Sequence, residues 1–137
     1  MKIGPAEIRF INALDTIAKV SARDCFVEEN TIVFLVPEDK IRQAIGKNGV
    51  TIEKVRKTLG KNVELFEYTK EPQQFFLKAF YKANIEGVEI RKQKEKTIAV
   101  IKADNANKKI ILRNLRRLGK IKELAKRNYE IDEVRIR

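Results

Sequence analysis

Ala44-Ile45-Gly46-Lys47-Asn48-Gly49, flanked by helix-like runs on both sides, is the stretch from which the rest of this chain can be read. Glycines at positions 46 and 49 let the main chain turn sharply with no Cβ in the way, so backbone NH groups at the start of the next helix can approach a phosphodiester closely. Lys47, held between them, would face the phosphates. The pattern predicts a main-chain clamp for single-stranded nucleic acid, with the apolar pair Ala44-Ile45 leading into it.

Working outward, Thr51 to Leu59 reads as the helix that follows the turn, with Gly60 as its C-terminal cap. Asn62 to Tyr68 alternates as a half-buried strand through Val63 and Leu65. Before the turn, Pro37-Glu38-Asp39 opens a short helix to Ile45, with its acids at the favourable end. Residues 22–27 and 31–36 are β-branched or aromatic and are split by the turn sequence Glu28-Glu29-Asn30. Pro5 suits a first helical turn, and Ile8, Ile11, Leu14, Ile17 and Ala18 make a broad apolar stripe after it. The order is αββααβ.

That pattern recurs 66 positions later. Phe10 falls on Phe76, Ile11 on Leu77, Leu14 on Phe80, Thr31-Ile32 on Thr97-Ile98, Ile45 on Ile111, Asn48 on Asn114, Ile52 on Leu118 and Val55 on Ile121. Beyond residue 59 the second copy is five residues longer, so Val63 and Leu65 correspond to Val134 and Ile136. Two domains are expected, 1–69 and 70–137. The second should have a helix over Gln73 to Ala83, strands at Val88 to Lys92, Thr97 to Lys102 and Glu133 to Ile136, and helices around Lys108 to Ile111 and Arg116 to Arg127. Its aromatics Phe75, Phe76, Phe80 and Tyr81 could be a stacking platform, but their helical spacing assigns them to the core.

Composition narrows the chemistry. With 137 residues and 43% apolar content the chain can form a core, and its longest apolar run, Ile32 to Val36, is strand-sized. It also starts without a charged-then-hydrophobic leader, so a soluble cytoplasmic protein with no membrane contact is expected. Histidine is absent, Ser21 is the single serine, and no carboxylate pair sits in a distinctive setting, so no catalytic residue is assigned and no enzyme is expected. A Walker loop fails because Ile41 stands where its first glycine should be. The lone Cys25 reads as a small core hydrophobe, and no metal or cofactor is expected.

Charge is lopsided. Residues 1–69 hold 11 Lys/Arg against 10 Asp/Glu, whereas residues 70–137 hold 19 against 9, leaving nearly all of the +11 in the second half. Such a field attracts polyanions, and nucleic acid fits better than membrane because no helix shows a large exposed apolar face. The same charge predicts a monomer.

An αββααβ order with a GxxG loop between its central helices resembles the type II KH domain, an RNA-binding module whose loop grips about four nucleotides. Two copies in 137 residues resemble the archaeal form of the NusA transcription termination/antitermination family. The resemblance implies an α/β (α+β) fold of two tandem type II KH domains, each a three-stranded sheet packed on helices, with the two domains packed as one unit. It leaves no room for the polymerase-binding and OB-fold domains of bacterial members. It further implies an RNA groove lined by Ile45, Gly46, Lys47, Asn48, Gly49, Val50 and Ile52 and by the edge of the strand bearing Val63 and Leu65. The partner would be single-stranded RNA, with RNA polymerase as a possible second, and the role would lie in transcription elongation, termination or antitermination. A ribosome-associated or assembly factor, or a docking platform for RNA polymerase through Leu112 and Leu115, are the alternatives.

The second copy departs from the pattern where it matters most. Leu112-Arg113-Asn114-Leu115 occupies the GxxG position, and two leucines should remove the close backbone approach and run one helix through the former loop. Nine cations, Lys108, Lys109, Arg113, Arg116, Arg117, Lys120, Lys122, Lys126 and Arg127, face a single acid, Glu123, over residues 108–127. The expectation is a division of labour: copy one holds a short strand, while Lys108, Lys109, Arg113, Asn114, Arg116, Arg117 and Lys120 meet neighbouring phosphates.

Overall fold

The computed structural model describes residues 3–137. Contacts divide the chain after Thr69 into two compact units. Both follow the order αββααβ, and each closes a three-stranded sheet.

In the first unit Pro5 starts helix α1 (Pro5–Ala18), which ends where Lys19 turns left-handed at φ 60° and its NH bonds the Asp15 carbonyl. Strands β1 (Asp24–Glu28) and β2 (Thr31–Pro37) form an antiparallel hairpin, with Asp24 opposite Leu35 and Glu29 taking a positive φ of 56° in the turn. After Pro37 comes a single 3-10 turn, Glu38–Lys40, and then helix α2 (Ile41–Ile45); the expected single helix from residue 37 is thus two short pieces. Helix α3 (Val50–Leu59) ends at Gly60, whose φ of 65° supplies the left-handed cap read from the sequence. Strand β3 (Asn62–Tyr68) returns beside β2 in parallel, Ile32 opposite Val63 and Phe34 opposite Leu65. A two-helix crossover makes that direction unavoidable.

Burial follows the pattern of the helices and strands. Leu14 from α1, Ile52 and Val55 from α3, and Ile32, Phe34, Val36 and Val63 from the sheet form one apolar cluster, joined by Cys25 as expected. Gln43 of α2 locks α1 in place, its Nε2 donating to the carbonyls of Ala18 and Lys19 at 3.1 Å each. This gives two orphan carbonyls at the end of α1 a partner.

The second unit repeats the scheme with helix α4 (Pro72–Ala79), strands β4 (Gly87–Gln93) and β5 (Lys96–Lys102), helices α5 (Asn105–Arg113) and α6 (Leu115–Tyr129), and strand β6 (Glu133–Ile136). Strands β4 and β5 are antiparallel and β6 is parallel to β5, with Ala99 opposite Val134. The five extra residues of this copy lengthen α6 relative to α3.

Two expectations need correction. Helix α4 stops at Ala79 instead of reaching Ala83: Phe80 leaves the helical region (φ −93°, ψ 45°), and Arg117 donates from Nε (3.2 Å) and Nη2 (3.0 Å) to the Ala79 carbonyl, capping the helix early. Nor does one helix run through the former loop. Asn114 breaks it at φ −115°, ψ 77°, and its side chain accepts from the Arg117 backbone NH at 3.1 Å. An asparagine that serves as N-cap outweighs the helix propensity of the leucines around it. Phe75, Phe76 and Phe80 are core as read, but Tyr81, in the turn after α4, is 64% exposed.

The apolar cluster makes a direct stability claim. Leu14→Ala should lower unfolding stability by about 3 kcal/mol, because a fully buried leucine leaves a cavity. A urea titration followed by circular dichroism checks it, and a loss below about 1 kcal/mol would contradict this core.

Candidate nucleic-acid interface

The chain between α2 and α3 bends through three positive φ values in four residues: Gly46 (78°), Asn48 (56°) and Gly49 (75°). The two glycines are needed for different reasons. A Cβ on Gly46 would lie 2.2 Å from Oγ1 and 2.8 Å from the backbone N of Thr51, so the turn folds directly onto the first residues of α3. At Gly49 a Cβ would meet only Ile52 Cγ2 at 3.9 Å, and the left-handed backbone alone favours glycine. The Gly49 NH bonds the Gly46 carbonyl at 3.1 Å and closes the turn. No side chain caps α3, whose N-terminus therefore carries its partial positive charge beside the turn. Lys47 and Asn48 are exposed at the tip.

Two apolar side chains flank the loop at the surface, Ile45 at 39% and Val50 at 57% exposure. Ile52 and Val63 differ. The resemblance put them on the groove wall, but both are buried in the cluster, because Ile52 and Val55 share the inward face of α3 and Val63 points from β3 toward the same helices. Leu65, two residues on and on the same face, is half-buried at the rim of that cluster.

Strand β3 is a sheet edge. Its Asn62 NH bonds the Asn30 carbonyl at 3.1 Å on the β2 side, while the Val63 carbonyl accepts from Arg56 Nη2 at 3.1 Å. Alternation along the strand then turns the backbone NH and C=O of Val63 and Leu65 away from β2. Arg56 was not singled out in the sequence, although Glu53-x-x-Arg56 is a helical ion-pair spacing and the two side chains do pair. Loop, α3 N-terminus and strand edge are joined through α3.

A KH domain family model matches residues 10–70, which contain all of this geometry. The chain is 28% identical over 130 residues to the probable transcription termination protein NusA of Halococcus morrhuae, covering 94% of this chain and 93% of that protein. It is 25% identical over 140 residues to the protein of the same name from Methanocaldococcus jannaschii, covering 99% and 75%. The crystal structure of APE1850 superposes with a TM-score of 0.89 at 29% identity, over 98% of this chain and all of that one. This is an archaeal NusA-type KH-domain protein.

The family model ends at residue 70, and the second unit of this NusA-type protein shows why the two copies differ. Where the first has a four-residue turn, the second has one nonhelical residue, Asn114, between α5 and α6. Leu112 and Leu115, at the positions of the two glycines, are 49% and 67% exposed. Of the cations assigned to phosphate contact, Lys109, Arg113 and Arg116 are exposed and Lys108 is partly so. Lys120 is buried and Arg117 is committed to the Ala79 carbonyl, so the structure takes both out of the exposed set.

Acids of this unit are engaged elsewhere. Glu89 accepts from Arg91 at 2.8 Å and pairs with Lys102 at 3.2 Å, and those hydrogen bonds, that from Arg91 first, hold its pKa down at about 2. Glu133 is likewise lowered by Arg135 and Lys96, and Asp104 by accepting the Asn107 backbone NH at the start of α5. The sheet balances its own charge, whereas α5 and the first half of α6 do not. Among the described residues no helix is long and apolar enough to cross a membrane.

The loop geometry predicts an order of costs. Gly46→Ala, which combines a positive φ with overlap against Thr51, should destabilise the protein by more than Gly49→Ala, for which about 1 kcal/mol is expected. Thermal melts of the two variants give the comparison, and the reverse order would contradict the turn described here.

Proposed function

We propose that this protein binds single-stranded RNA in the cleft between the GKNG loop and the outer edge of β3, and that it acts in transcription elongation, termination or antitermination. The observation that carries the reading is the run of positive φ values at Gly46, Asn48 and Gly49 leading into the uncapped α3. Gly46, Lys47, Asn48 and Gly49 would hold the sugar-phosphate chain. Ile45 and Val50 would offer apolar surface to unstacked bases, and the backbone of Leu65 a donor and an acceptor to a base edge. Ile52 and Val63 support this surface from beneath. Phosphate contacts beyond the loop fall to Lys108, Lys109, Arg113 and Arg116.

The role in transcription is supported by the names of the relatives: both the H. morrhuae and the M. jannaschii proteins are called probable transcription termination proteins. A second reading, a platform for a protein such as RNA polymerase, is favoured by the exposure of Leu112 and Leu115. Pull-down from lysate with and without nuclease separates the two. Recovery that survives nuclease and is lost on Leu112→Ser with Leu115→Ser would favour the platform.

Lys47→Asp with Asn48→Asp should weaken binding of a short single-stranded RNA by at least about tenfold without lowering the melting temperature, since it places two anions where phosphates would sit. Neutralising Lys109, Arg113 and Arg116 should mainly flatten the salt dependence, lowering the slope of log K against log salt by about 2, at roughly 0.7 per phosphate contact. Titration at two salt concentrations reads both effects. Parent-like binding by the loop variant would refute the cleft.

A further inference from the structure

Helix α4 is shorter than its counterpart. Carried over by 66 positions, the end of α1 at Ala18 falls on Asn84, yet α4 ends at Ala79. In the first unit that last stretch of helix packs beside α2 and α3; in the second the chain turns away. The early stop leaves a shallow hollow between the turn after α4 and helices α5 and α6. Its floor is apolar, with Ala79, Ala83, Ile110 and Leu118, and its rim holds Tyr81, Lys82, Asn114 and Arg117, with no acidic residue in the lining.

Tyr81 stands at this rim with its ring largely in solvent. The Arg117 guanidinium lies 4.9 Å from the ring centroid, and the Lys82 ammonium lies 5.7 Å from it. Arg117 is itself fixed by two hydrogen bonds to the Ala79 carbonyl, so it backs the ring with a group that does not wander. A guanidinium on one ring face holds the phenol in place through a cation-π contact. An exposed ring held from behind is preorganised for stacking, because little side-chain freedom remains to be lost on binding. The surroundings select the ligand: an acid-free lining in the half of the chain with 19 cations against 9 acids favours a polyanion that carries flat bases.

We infer that Tyr81 is a second RNA contact, stacking one unstacked nucleobase at the hollow while Lys82 meets the adjoining phosphate. This rests on the reading of the protein as a single-stranded RNA binder, and it places base contact in the second unit at the turn after α4 instead of at Leu112-Arg113-Asn114-Leu115.

The test is fluorescence anisotropy with a labelled pentanucleotide and a labelled strand of about 20 nucleotides, each at low and high salt. Tyr81→Ala should bind the long strand about tenfold more weakly, by the same factor at both salt concentrations, because stacking involves no counterion release. Tyr81→Phe, which keeps the ring, should stay within about twofold of the parent. The pentanucleotide, filled by the first-unit cleft, should be bound alike by parent and Tyr81→Ala. Parent-like affinity of Tyr81→Ala for the long strand overturns the inference. A loss shared by Tyr81→Phe, or one that vanishes at high salt, overturns it too, as does intact RNA binding accompanied by loss of a protein partner. Lys47→Asp with Asn48→Asp, run alongside on the pentanucleotide, reports separately on the cleft: parent-like binding there would sink the first-unit reading whatever Tyr81 does.

Discussion

The contact between Gly46 and Thr51 is the constraint on which the rest of the first unit depends. With no side chain at position 46, the chain leaving α2 comes down onto the backbone of α3 and is forced through a left-handed turn. One consequence is local: α3 begins abruptly, uncapped, beside an exposed lysine and asparagine. Another is longer in range. Because α3 starts there, its inward face sets Ile52 and Val55 into the core, and its flank sets Arg56 against the Val63 carbonyl, which fixes β3 relative to the loop.

The second unit shows what the same scaffold does once that contact is lost. Leucines at both glycine positions let α5 run on to Arg113 and α6 start at Leu115, and the turn shrinks to Asn114, whose side chain takes over as a cap. The close main-chain approach is gone, and cations remain. Arg117, counted at first with the phosphate-binding set, turned out to be structural: it ends α4, and by ending it early it creates a hollow with an exposed tyrosine that the first unit does not have.

Much of the fold was legible because it rests on short-range rules. Pro5, Gly60 and the turn at Glu29 mark boundaries that the structure keeps, and β3 and β6 lie where alternation put them. What escaped were the features that need a distant partner. Nothing near Ala79 announces that a helix stops there, since the cap comes from Arg117, 38 residues away. Asn114 could have been read as an N-cap from its type alone, but the leucines beside it argued for a continuous helix. Of the groove residues, the loop was legible through its glycines, whereas the burial of Ile52 and Val63 depends on which faces of α3 and β3 meet, and a pattern of apolar residues does not separate a core face from a cleft wall. Tyr81 was misassigned for the same reason: its helical spacing counted only while the helix lasted.

The central claim is that RNA is held by the main chain of the Gly46 to Gly49 turn. The most direct measurement is a series of two-dimensional amide NMR spectra of the labelled protein during titration with a short single-stranded RNA. The account predicts that the largest shifts fall on the backbone amides of Gly46, Lys47, Asn48, Gly49 and Val50, with a second group at Leu65. Saturating RNA that moves other amides and leaves those of the turn unchanged would contradict it.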